Sequence, residues 1–380
     1  MAPPSASLDP RKRRVFRLVT LTVMGVLGLT AAECGLRWQQ ARIDSSDDLA
    51  PGLIRPDPDL GWILTPYWKG AHQHHDFSAR YQLSALGLRA DTAWPNSDDR
   101  RPVTIVVGDS FTFGFGVDDT ATFVHRLDRA APGGHAFGNA AIPGYSTDQQ
   151  ALQIARQVLP LRPRRVLLVV YLGNDLFDNL RPVPLQVRLP KPYFEASGSN
   201  LILRNVPVPA RLPSSAGAGG LTDVVLGPDP SRWPWRIRLE QQSELFRLLG
   251  PAILPAGAPL PGLEERLAPA LRLFGLLVEK IRGECVAAGS DFAIVLLAGR
   301  SHALQPGSLS AQYQEILRLG TRRESLARGI PVIDAAAAVR AAAPAAKASW
   351  FFPHDGHLTV AGHQAVAEIL IRELARPAGG

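Results

Sequence analysis

Cysteine is almost missing from this chain of 380 residues: Cys34 and Cys285 are the two. One closes an apolar run and the other falls late in a helical segment, which argues against a disulfide framework. Cys34 is a poor lipid-attachment candidate, because Glu33 precedes it where a small residue is preferred. Despite a formal net charge of +7, there is no dense basic stripe interleaved with aromatics, so nucleic acid is not an expected partner. Part of the charge excess is local, in Arg11, Lys12, Arg13, Arg14 and Arg17. With 46% hydrophobic and 20% charged residues, the composition is that of a globular protein.

Charge is also absent from Leu18 to Ala32, directly after the basic cluster. A basic stretch followed by an apolar run is an export or membrane signal. In a cleaved signal peptide, Thr30 and Ala32 are the small residues before the cut, and the protein is secreted. In an uncleaved anchor, residues 15–36 form a signal-anchor helix behind a cytoplasmic tail of residues 1–14, with Trp38 at the interface. The positive-inside pattern and Trp38 favour the anchor. Either way, the body of the protein is expected outside the cytoplasm, in the periplasm for the anchored form.

Residues 42–101 are rich in Pro, Asp, Gly and Trp without helical periodicity, and read as short strands and turns of an N-terminal extension packing on the main domain. From Pro102 onward strands alternate with helices, which predicts a parallel sheet covered on both faces. The strands are expected at 103–107, 135–139, 165–171, 291–297 and 330–333. The helices are expected at 120–131, 147–159, 263–288, 310–328 and 360–374, with Pro269 marking a kink or a first turn. The fold class is α/β, a three-layer α/β/α sandwich over residues 102–376. An insertion at about 176–261 interrupts it, with a hairpin near 193–206, a flexible stretch at 214–220 and a helix at 235–249. An insertion beside a strand-end site is a candidate lid or substrate-binding element.

Three short words stand in order along this frame: Gly108-Asp109-Ser110, Gly173-Asn174-Asp175 and Asp355-Gly356-His357. The first two follow apolar strands, so Ser110 and Asn174 fall at the carboxyl edge of the sheet, where open α/β sheets bind ligands. Serine needs a base within hydrogen-bond reach to act as a nucleophile, and His357 supplies an imidazole. Asp355 is close enough to orient that ring. The backbone N–H groups of Ser110 and Gly144 and the side-chain amide of Asn174 are candidate donors to an oxyanion. His354 and His363 are lesser rivals for the base. Phe111, Phe113 and Phe115 line an acyl pocket or belong to the core. His72, His74, His75 and Asp76 have metal-ligand chemistry but no spacing that fixes a geometry, and a solvated loop or strand edge is the favoured reading.

The four blocks resemble those of the SGNH (GDSL-like) hydrolase superfamily. Gly108-Asp109-Ser110-Phe111-Thr112 matches block I, with phenylalanine where the family name has leucine; Gly144 matches block II, Gly173-Asn174-Asp175 block III, and Asp355 with His357 block V. The resemblance covers residues 102–375 apart from the insertion. It implies a flavodoxin-like sandwich with a five-stranded parallel sheet, and ester hydrolysis through a Ser-His-Asp acyl-enzyme without metal or other cofactor. Many members have the aspartate three residues before the histidine; here His354 holds that position and Asp355 stands two before. An envelope location suggests an O-acyl ester on a glycan as substrate. The alternatives are an O-acyltransferase using the same triad, and a catalytically silent glycan-binding or scaffold module.

Overall fold

A computed structural model of the protein describes residues 9–44, 49–90, 99–209, 220–253 and 259–376. The first element is a long helix, α1 (Pro10–Asp44). Two antiparallel hairpins follow, β1 (Ile54–Asp57) with β2 (Gly61–Leu64), and β3 (Lys69–Gln73) with β4 (Ser78–Gln82). Next come β5 (Val103–Val107), α2 (Ser110–Phe113), α3 (Phe123–Ala130), β6 (Ala136–Asn139), α4 (Thr147–Gln153), β7 (Arg165–Tyr171) and α5 (Asp175–Asp178). The insertion holds the hairpin of β8 (Tyr193–Ser197) and β9 (Asn200–Arg204), then α6 (Leu221–Leu226), α7 (Trp235–Gln242) and α8 (Glu244–Ile253). Alternation resumes with α9 (Leu263–Ala287), β10 (Asp291–Leu297), α10 (Arg300–Leu304), α11 (Leu309–Ala327), β11 (Val332–Asp334), α12 (Ala335–Ala341), α13 (Pro344–Ala348) and α14 (Val360–Leu374).

The described residues form two compact units, one of α1 with α7 and α8, the other holding the remaining elements. In the larger unit the sheet order is β11-β10-β7-β5-β6, with every pairing parallel. This is the flavodoxin-like order, whose ligand crevice opens where the strand order reverses. Here the reversal lies between β5 and β7, the strands that lead into Ser110 and Asn174.

Both faces of the sheet are covered, so its strands read as unbroken apolar runs. Ile105, Val107, Leu168 and Ile294 pack toward Ala151, Leu267, Leu271 and Phe274 of α4 and α9. The alternate residues Val106, Leu167, Val169 and Val295 pack toward Phe123, Val339, Val366 and Leu370 of α3, α12 and α14. Local signals set the helix starts: Ser308 accepts from the Ala311 amide at the start of α11, and Thr359 from the Gly362 amide at the start of α14. A third apolar cluster joins Leu53, Leu60, Trp62, Leu64, Tyr81 and Leu83 of the extension to Phe113, Tyr145, Leu273 and Leu277.

Several boundaries differ from those read in the sequence. The edge strand begins at Val332 rather than at residue 330, because the Ile330 amide closes the end of α11 by donating to the Ser325 carbonyl. Pro269 lies inside the continuous helix α9 rather than in its first turn. The expected helix 235–249 is two helices parted at Ser243, whose backbone is extended and whose hydroxyl accepts from the Phe246 amide. The helix expected at 147–159 continues from α4 as a π-helical turn at Ile154–Val158. α1 extends beyond the expected span at both ends. Of the stretch 214–220, residues 214–219 lie outside the described residues, as do residues 1–8 of the basic tail.

Candidate active site

β5 ends at Val107, and the chain turns at Gly108 into the single turn of α2 with Ser110 as its first residue. Asp109 caps this turn by accepting from the Phe111 amide at 3.0 Å. Packed beneath the serine, its carboxyl has no solvent to stabilise a charge. Burial therefore pushes its pKa up to about 6, with the nearby His357 pulling the other way. Ser110 itself is 6% exposed, so a reactant must reach it through a narrow approach.

The loop before α14 delivers the histidine. His357 Nε2 lies 2.7 Å from Ser110 Oγ, and His357 Nδ1 lies 2.7 Å from Asp355 Oδ1. The same carboxylate oxygen also accepts from the His357 backbone amide at 3.0 Å. Burial raises the Asp355 pKa, but the charge and hydrogen bonds of His357 outweigh it and hold the carboxyl below its ordinary value. Phe111 and Phe115 flank the imidazole with centroid separations of 4.6 and 4.9 Å. Those two rings and Phe113 are all buried, so the phenylalanine series packs around the histidine and in the core.

The other blocks come from the adjacent loops. The Ile142 amide donates to the Gly108 carbonyl at 3.1 Å, which ties the block II loop to the turn bearing the serine. Gly144 adopts φ +79°, and a Cβ there would lie 2.3 Å from Val187 Cγ2 and 3.3 Å from Trp62 Cζ2. Only glycine fits both the backbone conformation and the contact. Asn174 donates one amide hydrogen from Nδ2 to Asp178 at 2.6 Å, which orients the group and leaves its second N–H for another acceptor. Burial, the largest effect, pushes the Asp178 carboxyl up to about 6.

The extension reaches the loops of Ser110, Gly144 and His357. Trp62 Nε1 donates to the Pro143 carbonyl at 3.1 Å beside Gly144. Buried Arg89 donates to the carbonyls of Phe113, Gly114 and Val117 and pairs with Asp119 at 2.8 Å. Asp76, at the turn between β3 and β4, accepts from the backbone amides of His354 and Asp355 at 2.8 and 2.9 Å and from His354 Nδ1 at 2.7 Å. Its carboxylate is 3% exposed. Burial raises the Asp76 pKa, but these donors outweigh it and the net position is below the ordinary value.

Asp76 is therefore a hydrogen-bonded brace on the loop of His357, a role with no local signature in its own residues. Its ligand atoms, with those of His75 and His354, lie within 4.8 Å of one another, the one such cluster among the described residues. Both oxygens of Asp76 already accept hydrogens there. His72 is instead buried, with Nδ1 3.0 Å from the Tyr81 hydroxyl, and His74 stacks on Phe77. Of the two rival bases, His354 faces Asp76, and His363 is fully buried where its Nδ1 accepts from the Phe123 amide. Burial lowers the His363 pKa to about 3.

Residues 106–365 match the model of the GDSL-like lipase/acylhydrolase family. Among solved structures, the chain is similar to a lipase/acylhydrolase from Enterococcus faecalis, with 12% identity over 73% of this chain and 100% of that one and a TM-score of 0.38. A catalytic mutant of an acetylxylan esterase from Geobacillus stearothermophilus has 12% identity over 73% and 95% of the two chains and a TM-score of 0.40. An alpha/beta hydrolase from the metagenome of Lake Arreo has 10% identity over 73% and 97%, with a TM-score of 0.39. No curated protein matches the chain by sequence.

Proposed function

This chain belongs to the GDSL-like lipase/acylhydrolase family and is an ester-hydrolysing enzyme; we propose that Ser110 is its nucleophile, His357 its general base and Asp355 the carboxylate that orients the base. The observation carrying this reading is the continuous path from Asp355 Oδ1 through His357 to Ser110 Oγ, with both steps at 2.7 Å. With Nδ1–H directed to Asp355, Nε2 holds the lone pair that accepts the serine proton. Ser110 Oγ bonds to the ester carbonyl carbon, and its proton moves to His357 Nε2. Collapse of the tetrahedral intermediate breaks the bond to the alcohol oxygen, which takes that proton and leaves. Water then attacks the acyl-enzyme with His357 again as base, releasing the acid and restoring the serine.

The developing oxyanion is held by the N–H groups of Ser110 and Gly144 and the second amide hydrogen of Asn174. A short acyl group suits the site, since the serine is nearly covered, Val187 and Trp62 press on Gly144, and phenylalanines fill the space around His357. An acetyl ester on an envelope glycan is the substrate class that this and an extracytoplasmic location favour. α1 is long and apolar enough to cross a membrane, and the basic residues preceding its apolar run support an N-terminus in the cytoplasm with the enzyme outside it.

The test uses the full chain in detergent with an aryl acetate and with a serine-reactive fluorophosphonate. Hydrolysis and a single covalent adduct on Ser110 are expected, both abolished in Ser110→Ala. Turnover that survives this substitution would refute the assignment. Adding an unacetylated oligosaccharide distinguishes release of acetate from acyl transfer to a sugar hydroxyl.

A further inference from the structure

In the smaller unit, α8 begins where the apolar run of α1 ends. Glu33 is the first charged residue after that run. Its carboxylate accepts from the Leu245 amide at 2.9 Å, the Glu244 amide at 3.1 Å and the Ser243 hydroxyl at 2.9 Å. The two amides are N–H groups that a helix start leaves unsatisfied, and a negative charge there also suits the helix dipole. Arg37, one turn further along α1, pairs with Glu33 at 2.7 Å and donates to the Gln242 carbonyl. Four residues of the α7–α8 junction, Gln242 to Leu245, are thus bound to one turn of α1, at the level where its apolar run meets a charge.

The apolar residues of α8 fall into two sets. Leu245 and Phe246 are half-buried, whereas Leu248, Leu249 and Ile253 are 62%, 45% and 69% exposed. Leu249 and Ile253 are one helical turn apart with Leu248 beside them, so the exposed set forms one face. On α1, the side chains from Val15 to Leu29 are likewise exposed. Water-facing leucine and isoleucine clusters of this kind mark a surface made for another apolar phase. The flanking residues have interfacial chemistry: Trp235 and Trp38 are exposed, and Arg42 lies over the Trp38 ring at 4.4 Å. Between residues 232 and 253 four arginines stand against two glutamates, a balance suited to anionic headgroups.

We infer that the α7–α8 segment is an interfacial membrane element, with Leu248, Leu249 and Ile253 inserted among the lipid chains of the leaflet in which α1 ends. The occupant of this face is lipid, because Glu33 fixes the start of α8 at the boundary of the apolar run, and the face is apolar and exposed as the side chains of that run are. The inference rests on α1 being a retained anchor. Its consequence is that the chain has a second point of attachment to the bilayer, in the insertion between α5 and α9.

The test places an environment-sensitive fluorophore at one position of the full chain in vesicles of phosphatidylethanolamine and phosphatidylglycerol. Leu249→Cys reports on α8 and Met24→Cys on the anchor, each in a Cys34→Ser background, with Cys285 buried and unreactive. For the Leu249→Cys probe, at least twofold quenching by lipids spin-labelled near the headgroup and weak quenching by aqueous iodide is the expected result. Quenching by iodide alone, or by neither reagent as when another protein covers the face, would overturn the inference while the Met24→Cys probe remains lipid-quenched. If the Met24→Cys probe is reached only by iodide, the anchor itself fails and the inference falls with it.

Discussion

His357 Nε2 and Ser110 Oγ stand 2.7 Å apart although 247 residues separate them in the chain. Two loops at one sheet edge make this contact, and Asp355 and Asp76 hold the histidine loop from the other side. Asp355→Asn keeps the shape but replaces the carboxylate that selects the Nδ1–H tautomer. A fall in kcat of about 10³–10⁴-fold is expected, with KM changed much less. A loss under tenfold in aryl acetate kinetics would remove Asp355 from the proton path.

Asp76 touches no reacting atom, so its effect has to pass through the loop it braces. Asp76→Asn puts an amide against three donors and is expected to lower kcat about tenfold and stability by about 1–3 kcal/mol. Because the Asp76 pKa is lowered on folding, its contribution is present above the ordinary carboxylate value and lost as the pH falls below about 4. The variant should lack that acid-side step in a series of thermal melts. His75→Ala and treatment with EDTA should each leave kcat within twofold, since Asp76 acts as a hydrogen-bond acceptor. A chelator-sensitive rate would reassign it as a metal ligand.

Gly144 tests the block II loop. Gly144→Ala adds a methyl group at positive φ against Val187 and Trp62, so about 2–3 kcal/mol of stability should be lost, with a fall in kcat. Val187→Ala removes the nearer contact. The double variant should regain part of the stability while the backbone strain remains. Full recovery in a denaturant titration would mean that the contact alone, and not the φ angle, demands glycine.

Asp109 should oppose stability at neutral pH. Its carboxyl pKa is raised to about 6 in the fold. Between about pH 4 and 6 the folded state therefore keeps a proton that the unfolded chain has released, and stability declines as the pH rises through that window. Asp109→Asn keeps the acceptor for the Phe111 amide and removes the titration. It should be more stable by up to about 2 kcal/mol at pH 7 and show no difference from this source below pH 4. Equal pH slopes for the two proteins would contradict this.

The frame of the molecule was written locally. Apolar runs at 103–107, 165–171 and 291–297, broken by turns and helical periods, are enough to specify buried parallel strands, because side-chain periodicity is a property of a few adjacent residues. The same holds for Ser110 and Asn174, whose positions after those strands follow from the strand ends. Asp355 and His357 are neighbours, so their pairing was legible too, and the length and charge pattern of α1 are visible in its own residues. What folding alone decided are contacts between distant segments with no shared local signature. Asp76 reaches the amides of His354 and Asp355 across 278 and 279 residues. Val187 of the insertion closes on Gly144, and Glu33 takes up the start of α8 more than 200 residues away. An Asp in a polar loop and a Glu at the end of an apolar run carry no local sign of their partners, and it is the pairing with backbone N–H groups of distant segments which gives each of them its role.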